Sequence, residues 1–263
     1  MSEPLRAAVL FAVALTACSS PPSPFPAGRL VDLTHAFDEH TIYWPTSPGF
    51  EIETLSEGMT ERGYYYVAKR FSTAEHGGTH IDAPIHFAQG RNAVDEIALE
   101  NLIGPGIVVD VTGACAEAPD YQVAVDDFVA WESKHGPIPG GAIVLLRTGF
   151  GDRWPDRARY MGTDARGPDA VADLHFPGLH PEAARWLITE RAIRAIGLDT
   201  PSIDHGPSQD FGSHVTLFAR NVPAFENVAN LDELPESGFT VVALPMKIRG
   251  GSGGPLRIIA IVE

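Results

Sequence analysis

The sequence predicts a single α/β domain, and three features of its pattern support that class. Several short runs of β-branched and apolar residues have the length of strands, whereas fewer stretches have helical periodicity. Glycine and proline, with 26 and 22 residues, separate these runs and indicate many loops. A chain of 263 residues with 44% hydrophobic residues is long and apolar enough for one large core.

Seven runs are predicted to be strands, because apolar and β-branched residues dominate each of them. In chain order these runs span residues 30–33, 64–71, 107–111, 142–146, 193–198, 241–244 and 256–262. The run 64–71 is predicted to be a half-buried strand with its consecutive tyrosines on opposite faces, because strand side chains alternate.

Three helices are predicted. Residues 125–135 place Phe128, Val129 and Trp131 at helical spacing, and residues 181–191 begin with a proline that suits the first turn of a helix. The third helix is predicted over residues 208–220. Strands and helices intermix along the chain without an internal repeat, so residues 29–263 are predicted to form one domain.

The N-terminal segment has the pattern of an export signal. Arg6 precedes an apolar run over residues 7–17 that is too short to span a bilayer. The run ends in Leu-Thr-Ala-Cys18, which resembles the lipobox of bacterial lipoproteins. We therefore expect a signal peptide over residues 1–17, a Ser/Pro-rich tether over 18–28, and export with a membrane anchor on lipidated Cys18, or a periplasmic protein. If the segment is not a signal, the protein is cytoplasmic.

The net charge argues against nucleic-acid binding, and the two cysteines do not predict a disulfide. The net charge of −15 gives an acidic surface that repels phosphate backbones, so a nucleic-acid partner is not expected. The two cysteines, Cys18 and Cys115, lie in very different surroundings and do not predict a disulfide. Acidic residues remain compatible with divalent cations, for which carboxylate oxygens are ligands.

One short segment concentrates residues that bind metals. Residues 76–86 read HGGTHIDAPIH and contain His76, His80, Asp82 and His86. Imidazole nitrogens and carboxylate oxygens are the ligands of zinc, manganese and related ions. If residues 79–82 are extended, His80 and Asp82 point to the same face, since strand side chains alternate. The glycine pair lets His76 fold back, and Pro84 ends the strand so that His86 can turn over the site.

This segment resembles the signature of the cyclase-like hydrolase family, which includes bacterial kynurenine formamidase (arylformamidase) and isatin hydrolase. The resemblance extends over most of residues 30–262. It includes Trp44-Pro45 near the start, the strand ends at 145–149 and 197–204, and His214 followed by Glu226. It implies a mixed β-sheet with a barrel-like core and flanking helices, the cyclase-like swivelling β/α fold.

The resemblance also implies a role for each site residue. His76, His80 and Asp82 would hold one metal ion, and Asp82 and Glu226 would bridge to a second ion whose remaining ligand is His214. His86 would be the catalytic acid and base, while Trp44 would line an aromatic substrate pocket. Family members use two zinc ions or one manganese ion. A dimer is expected, since closed homo-oligomers are common.

We expect these residues to hydrolyse an amide of an aromatic amine. A bound divalent metal lowers the pKa of water from 15.7 toward ~7 and polarises the substrate carbonyl. The leaving nitrogen must be protonated, and His86 can supply that proton. Phe87 is a second aromatic candidate for the pocket wall. The substrate is expected to be linear, as in N-formylkynurenine from tryptophan catabolism, or cyclic, as in isatin.

Two other functions fit parts of the sequence. Residues 250–254 match the G-x-S-x-G pattern of serine hydrolases with Ser252 as nucleophile, but a predicted strand follows where that motif requires a helix. A non-catalytic protein that binds a ligand through its metal is the second alternative. It does not require His86, because a binding site needs no imidazole beyond its ligands.

Overall fold

Residues 28–263 are described by the computed structural model. The predicted signal segment, Cys18 and all of the tether except Gly28 lie outside the described residues. The strands are β1 (Arg29–Asp32), β2 (Glu51–Met59), β3 (Tyr65–Ser72), β4 (His80–Asp82), β5 (Ile103–Asp110), β6 (Gln122–Val123), β7 (Ile143–Arg147), β8 (Gly178–Leu179), β9 (Ala195–Leu198), β10 (Ala224–Glu226), β11 (Phe239–Pro245) and β12 (Gly253–Val262). The helices are α1 (Thr112–Glu117), α2 (Val125–His135), α3 (Arg157–Met161), α4 (Pro181–Arg191) and α5 (Gly212–Phe218).

Seven strands close into a barrel, which confirms the predicted α/β class and the barrel-like core. Their order is β12-β11-β5-β7-β9-β10-β4, and β4 pairs with β12 to complete the ring. The strands β5, β7, β9 and β10 run parallel, whereas β4, β11 and β12 are antiparallel to both of their neighbours. Strand β1 extends the sheet from β12 outside the ring.

The strands of the barrel bury side chains on both faces. Val108, Leu145 and Phe225 belong to the apolar cluster inside the ring. Alternate residues such as Val109 and Leu146 pack outward with the buried faces of α2, α4 and α5. This double burial explains why the parallel strands appear in the sequence as continuous apolar runs rather than alternating ones.

The predicted elements agree with the structure where their pattern is long. Helices α2 and α4 span the predicted residues, and α5 lies within the third predicted helix. The short helices α1 and α3 and the strands β2, β6, β8 and β10 were not predicted, because two to nine residues of mixed polarity carry little periodicity. No helix within residues 28–263 is both long and apolar enough to cross a membrane.

The strand over residues 65–72 differs from the expectation of a half-buried strand. It pairs with β2 in a separate two-stranded ribbon, and Tyr64, Tyr65 and Tyr66 are all exposed, at 54%, 59% and 49%. We call residues 51–72 the arm. Because the arm pairs with no strand of the barrel, neither of its faces is covered by the protein core.

Candidate active site

The central strand of the site is β4, which has only three residues. His80 and Asp82 point away from the barrel interior, whereas Ile81 between them is buried in the interior cluster. This alternation is the period of an extended strand, as the sequence predicted. His80 and Asp82 are each 2% exposed, so the strand places one imidazole and one carboxylate out of solvent.

The glycine turn before β4 brings His76 to the same side. Gly77 and Gly78 have φ angles of +151° and +57°, which L-residues with side chains rarely adopt. A Cβ atom on Gly77 would lie 2.0 Å from the ring of Tyr43, so a side chain has no room there. The turn therefore depends on glycine both for its conformation and for close packing.

Asp82 is the centre of the cluster. Its Oδ1 atom lies 2.7 Å from His76 Nδ1 and 3.0 Å from His80 Nε2. Its Oδ2 atom lies 3.2 Å from His214 Nε2 and 3.9 Å from His86 Nε2. The two carboxylate oxygens thus face two different sets of histidines.

Glu226 reaches the cluster through strand pairing. It lies directly opposite His80 in the antiparallel pair β10–β4. Its Oε2 atom is 3.4 Å from His80 Nε2, and its Oε1 atom is 3.2 Å from His214 Nε2. The same Oε1 atom accepts a hydrogen bond of 2.8 Å from the backbone N–H of Ile203, which fixes the carboxylate in place.

Helix α5 contributes His214 from the side opposite β4. The Nδ1 atom of His214 lies 2.6 Å from Asp204 Oδ2, so its Nε2 atom faces Asp82 and Glu226. Asp204 also accepts hydrogen bonds from the backbone N–H groups of Ser213 and His214. One buried aspartate therefore fixes both the start of α5 and the orientation of its histidine.

The buried charges are predominantly negative. Burial raises the pKa of Glu226, and the neighbouring Asp82 carboxylate raises it further. Burial also acts against ionised Asp82, but His76, His214 and His80 hold the pKa of Asp82 well below its usual range. Burial opposes a charged His214 as well, yet Asp204, Asp82 and Glu226 raise the pKa of His214 well above normal. The raised pKa values of Glu226 and His214 show that this part of the cluster favours added positive charge, whereas the histidines around Asp82 keep that carboxylate ionised.

The donor atoms fit a divalent cation. His76, His80 and Asp82 form one group and Asp82, His214 and Glu226 a second, each with its ligand atoms within 4.8 Å of one another. The buried Nε2 atom of His80 has no hydrogen-bond partner, although Asp82 Oδ1 is only 3.0 Å away. That nitrogen is near the carboxylate without being aligned to it, as expected for ligands directed at a shared ion rather than at each other.

His86 lies beside both groups but belongs to neither. A short 3-10 turn over Pro84–His86 follows β4 and stacks the ring of His86 on His76, with 3.9 Å between centroids. Burial lowers the pKa of His86 to about 4, with Asp82 acting in the opposite direction. With that pKa the imidazole of His86 is neutral at neutral pH. Its side chain is 30% exposed, so it lies between the cluster and solvent.

A cavity of about 250 Å³ opens directly beside the cluster. Trp44, which packs edge-on against Phe176, forms part of its wall. Phe87 forms another part and lies 4.5 Å from the ring of His214. The full lining consists of Ile42, Tyr43, Trp44, Ser47, His76, Gly77, His80, Asp82, His86, Phe87, Pro201, Ser202, Phe211, His214, Glu226 and Asn227.

The structure brings together all eight residues that the sequence analysis named for the site. It also adds residues that the analysis missed, among them Asp204, Phe211 and Asn227. Asp204 gave a signal, because it lies in the 197–204 segment that carried part of the resemblance. Asn227 gave a signal too, because it follows Glu226 in the segment 223–227 that shares the resemblance, whereas nothing in the sequence marked Phe211.

Comparisons with known proteins agree with this geometry. A family model with the description "Putative cyclase" matches residues 31–205. An isatin hydrolase of Roseibium aggregatum is 33% identical over 82% of each chain, and a kynurenine formamidase of Salinibacter ruber is 27% identical over 88% of this chain and 96% of its own. The solved structure of isatin hydrolase A from Labrenzia aggregata, bound to benzyl benzoate, superposes with a TM-score of 0.79 at 37% identity, covering 89% and 93% of the two chains.

Proposed function

Because the chain belongs to the cyclase family, we propose that it is a metal-dependent hydrolase that opens a compact cyclic amide of an aromatic amine, as in isatin. The observation that best supports this proposal is the cavity of about 250 Å³ beside the cluster, because the walls of this cavity include aromatic side chains. Among the described residues that line it, none is lysine or arginine. A neutral, flat substrate fits such a cavity without leaving a buried charge unpaired.

Hydrolysis of N-formylkynurenine, a linear aryl formamide, is the second candidate. The 27% identity to a kynurenine formamidase over 88% of the chain favours it. This substrate carries an ammonium and a carboxylate group besides its formamide. The described wall has no lysine or arginine for the carboxylate, and its two carboxylates, Asp82 and Glu226, are proposed metal ligands rather than free partners for the ammonium group. We therefore place this activity second.

The two groups of ligand atoms that share Asp82 would hold one or two ions. Mixed imidazole and carboxylate ligands suit both zinc and manganese, so either metal is proposed. When bound, the metal supplies Lewis acidity that polarises the substrate carbonyl and lowers the pKa of water from 15.7 to ~7.

The residues around the metal ligands would orient the substrate and move its proton. In the reaction, the amide C–N bond breaks, the oxygen of water bonds to the carbonyl carbon, and one proton goes to the nitrogen. The second proton is released as the new carboxylic acid ionises. His86 Nε2, which faces Asp82 at 3.9 Å and borders the cavity, would take a proton from water and return it to the leaving nitrogen. Trp44 and Phe87 would hold the aromatic ring between them.

The experiment compares isatin and N-formylkynurenine as substrates of the zinc-loaded and manganese-loaded protein. We expect kcat/KM for isatin to exceed that for N-formylkynurenine by at least about tenfold, because the described wall has no lysine or arginine to pair with the carboxylate of the latter. The reverse ratio would support the formamidase. Stoichiometric binding of either compound without turnover would support the non-catalytic alternative.

We also propose a homodimer formed through the arm. Half of the large hydrophobic side chains that are exposed in the described chain lie on residues 51–72. An isolated two-stranded ribbon is marginally stable in water, so an apolar arm of this length favours a partner surface. The exposed apolar residues of the arm are Ile52, Leu55, Met59, Tyr64, Tyr65, Tyr66, Val67 and Phe71.

The pairing register concentrates apolar side chains on one face of the arm. Met59 lies opposite Tyr65, and Ile52 lies opposite Phe71. Val67 and Lys69 share the face of Tyr65 and Phe71, because strand side chains alternate, and Glu57 lies opposite Val67, so the face is mainly apolar with one charge of each sign. With a rise of about 3.3 Å per residue, nine-residue β2 gives this face a length of about 30 Å.

A second copy of the chain is the proposed occupant of this face. The chain carries a net charge of −15, yet the arm contains four acidic and three basic residues and is nearly neutral. A two-fold contact places the same patch of both copies together, which requires a patch without strong self-repulsion. The arm also begins and ends close to Trp44 and His76, so the partner copy would lie near the mouth of the cavity.

Sedimentation of two matched variants tests the dimer. Val67→Glu introduces a charge on the apolar face, whereas Ser56→Glu introduces the same charge at an exposed position on the opposite face. We expect wild type and Ser56→Glu to sediment as dimers and Val67→Glu as a monomer. A monomeric wild type, or a dimeric Val67→Glu variant, would show that the arm does not form the interface.

For the N-terminal segment we propose export, with the domain held at a membrane by lipidated Cys18. The apolar run followed by Leu-Thr-Ala-Cys supports this location. It fits an enzyme that meets isatin-like compounds outside the cell better than one that meets N-formylkynurenine, which is made inside it. The alternative remains a cytoplasmic protein with its first residues intact.

A further inference from the structure

Ser252 lies behind His76, on the side away from the cavity. Its Oγ atom is 2.9 Å from His76 Nε2 and 2.6 Å from Glu75 Oε2. The backbone N–H of Ser252 donates a second hydrogen bond, of 3.1 Å, to the same Glu75 oxygen. A continuous chain of hydrogen bonds therefore runs from Glu75 through Ser252 to His76, which is one of the candidate metal ligands.

The direction of these hydrogen bonds follows from the chemistry of the groups. An ionised carboxylate only accepts, so the Ser252 hydroxyl donates its one proton to Glu75. The Ser252 oxygen then accepts from His76, which requires a proton on His76 Nε2. His76 Nδ1 lies 2.7 Å from the Asp82 carboxylate, to which it donates when no ion is bound; a metal ion at the site would replace that proton, leaving Nε2 as the protonated nitrogen of the neutral ring.

Two glycines make room for this chain. A Cβ atom on Gly253 would lie 2.6 Å from the Cε1 atom of His76, and one on Gly251 would lie 2.7 Å from an oxygen of Glu75. Any side chain at either position would displace one member of the chain. The glycines around Ser252 thus have a specific packing role in holding Glu75 and His76.

The same geometry argues against Ser252 as a nucleophile. Ser252, His76 and Asp82 have the spacing of a catalytic triad, but a triad serine must donate its proton to the histidine. Here that proton goes to Glu75. Ser252 is also not among the residues that line the cavity, and the strand β12 follows it rather than a helix.

We propose that Glu75 and Ser252 are positioning residues that fix the tautomer of His76, so that it binds the metal through Nδ1. This inference rests on the proposed metal dependence but not on the identity of the substrate. His76 then differs from the other two candidate ligands. His80 Nδ1 faces the carbonyl oxygen of Gly78 at 2.9 Å and His214 Nδ1 faces Asp204, so both present Nε2 to the cluster.

The first test is the tautomer itself, read from the ring ¹⁵N chemical shifts of wild-type protein loaded with zinc. The proposal requires a protonated Nε2 on His76 and a protonated Nδ1 on His80 and His214. His76→Ala identifies the His76 signals. A zinc-loaded protein in which His76 is protonated at Nδ1 would overturn the proposal without any variant that might fail to fold.

The second test measures zinc affinity by competition with a chelator, without substrate. Ser252→Ala is expected to weaken binding by about 10- to 100-fold, the range typical of partners that orient a metal ligand. Glu75→Ala should have a similar effect, and the double variant should be no weaker than Ser252→Ala alone, because both changes break one chain. Ser133→Ala, an exposed serine on α2 that bonds only to its own helix, is the matched control.

A His76→Ala background separates this role from a structural one. If Ser252 acts through His76, adding Ser252→Ala to that background leaves the remaining zinc affinity unchanged. An equal loss in both backgrounds, or wild-type affinity of Ser252→Ala, would refute the proposal. Because no substrate is present, a protein that binds zinc through Nδ1 but hydrolyses neither candidate amide would refute only the proposed function.

Discussion

His80 and Glu226 lie directly opposite each other on β4 and β10, with His80 Nε2 3.4 Å from Glu226 Oε2. Their cross-strand pairing joins a residue of the local histidine segment to one that is far away in sequence.

The position of Glu226 beside His80 leads to the first prediction. Glu226→Gln keeps the shape of the side chain but removes its charge, so metal affinity and activity should fall by about 10- to 100-fold or more.

The control for this variant is Glu236→Gln, which removes a charge that pairs with His135 on the surface. Metal content by elemental analysis and turnover should match wild type in that control. Wild-type metal content and turnover in Glu226→Gln would show that Glu226 is not a ligand.

Removal of the metal should abolish activity. His80 Nε2 has no hydrogen-bond partner, and the buried cluster contains the carboxylates of both Asp82 and Glu226, so without a metal its ligand atoms lack the cation that they would share. Dialysis against a strong chelator should eliminate turnover, and zinc or manganese should restore it. Full turnover in a preparation shown to be metal-free would contradict the mechanism.

His86 and Asp82 should respond differently to truncation. His86→Ala is expected to lower kcat by about two to four orders of magnitude, the usual contribution of general acid–base catalysis, while metal content stays near wild type. Asp82→Ala should instead lose metal, because both candidate groups share Asp82. Equal loss of metal in the two variants would make His86 a ligand rather than the acid and base.

Trp44 should affect substrate binding more than chemistry. It lines the cavity but belongs to neither group of ligand atoms. Trp44→Ala is expected to raise KM by roughly tenfold, since it removes an aromatic wall that packs on the substrate ring. Trp186→Ala is a control, because Trp186 packs against Phe128 of α2 and is not among the residues that line the cavity. An unchanged KM for isatin would exclude Trp44 from the binding site.

Cys18→Ser should change the location of the protein. If Cys18 is lipidated, wild type fractionates with membranes and begins at Cys18, whereas the variant does not carry the lipid. Stable anchoring needs more than one acyl chain, as bacterial lipoproteins carry. Wild type and variant proteins that are both cytoplasmic, with residues 1–17 intact, would exclude export and strengthen the formamidase candidate.

Local sequence determined the parts of the site that lie close together in the chain. His76, His80, Asp82 and His86 fall within eleven positions, and two short-range rules arrange them. Strand alternation directs His80 and Asp82 to one face, while glycine and proline turn the chain before and after β4. Neither rule depends on the rest of the fold, so both could be applied to the bare sequence. Helices α2 and α4 were predictable for the same reason.

Only the tertiary structure decided which distant residues complete the cluster. His214 and Glu226 could be named from the family resemblance, but nothing in their own surroundings marks a histidine in α5 or a glutamate in a three-residue strand. Ser252 drew attention through a motif whose implied role the structure does not support. Ser252 immediately precedes β12, whose pairing with β4 places it behind His76.

The physical reason is that β4 is hydrogen-bonded on both sides by strands from the last quarter of the chain. The pairing of β4 with β10 sets the register of Glu226 against His80, and the pairing of β4 with β12, which closes the barrel, positions Ser252 beside His76. Such long-range pairings depend on the packing of the whole core rather than on local periodicity. The sequence could therefore specify one part of the candidate metal site by itself, and the closed barrel supplies the other part.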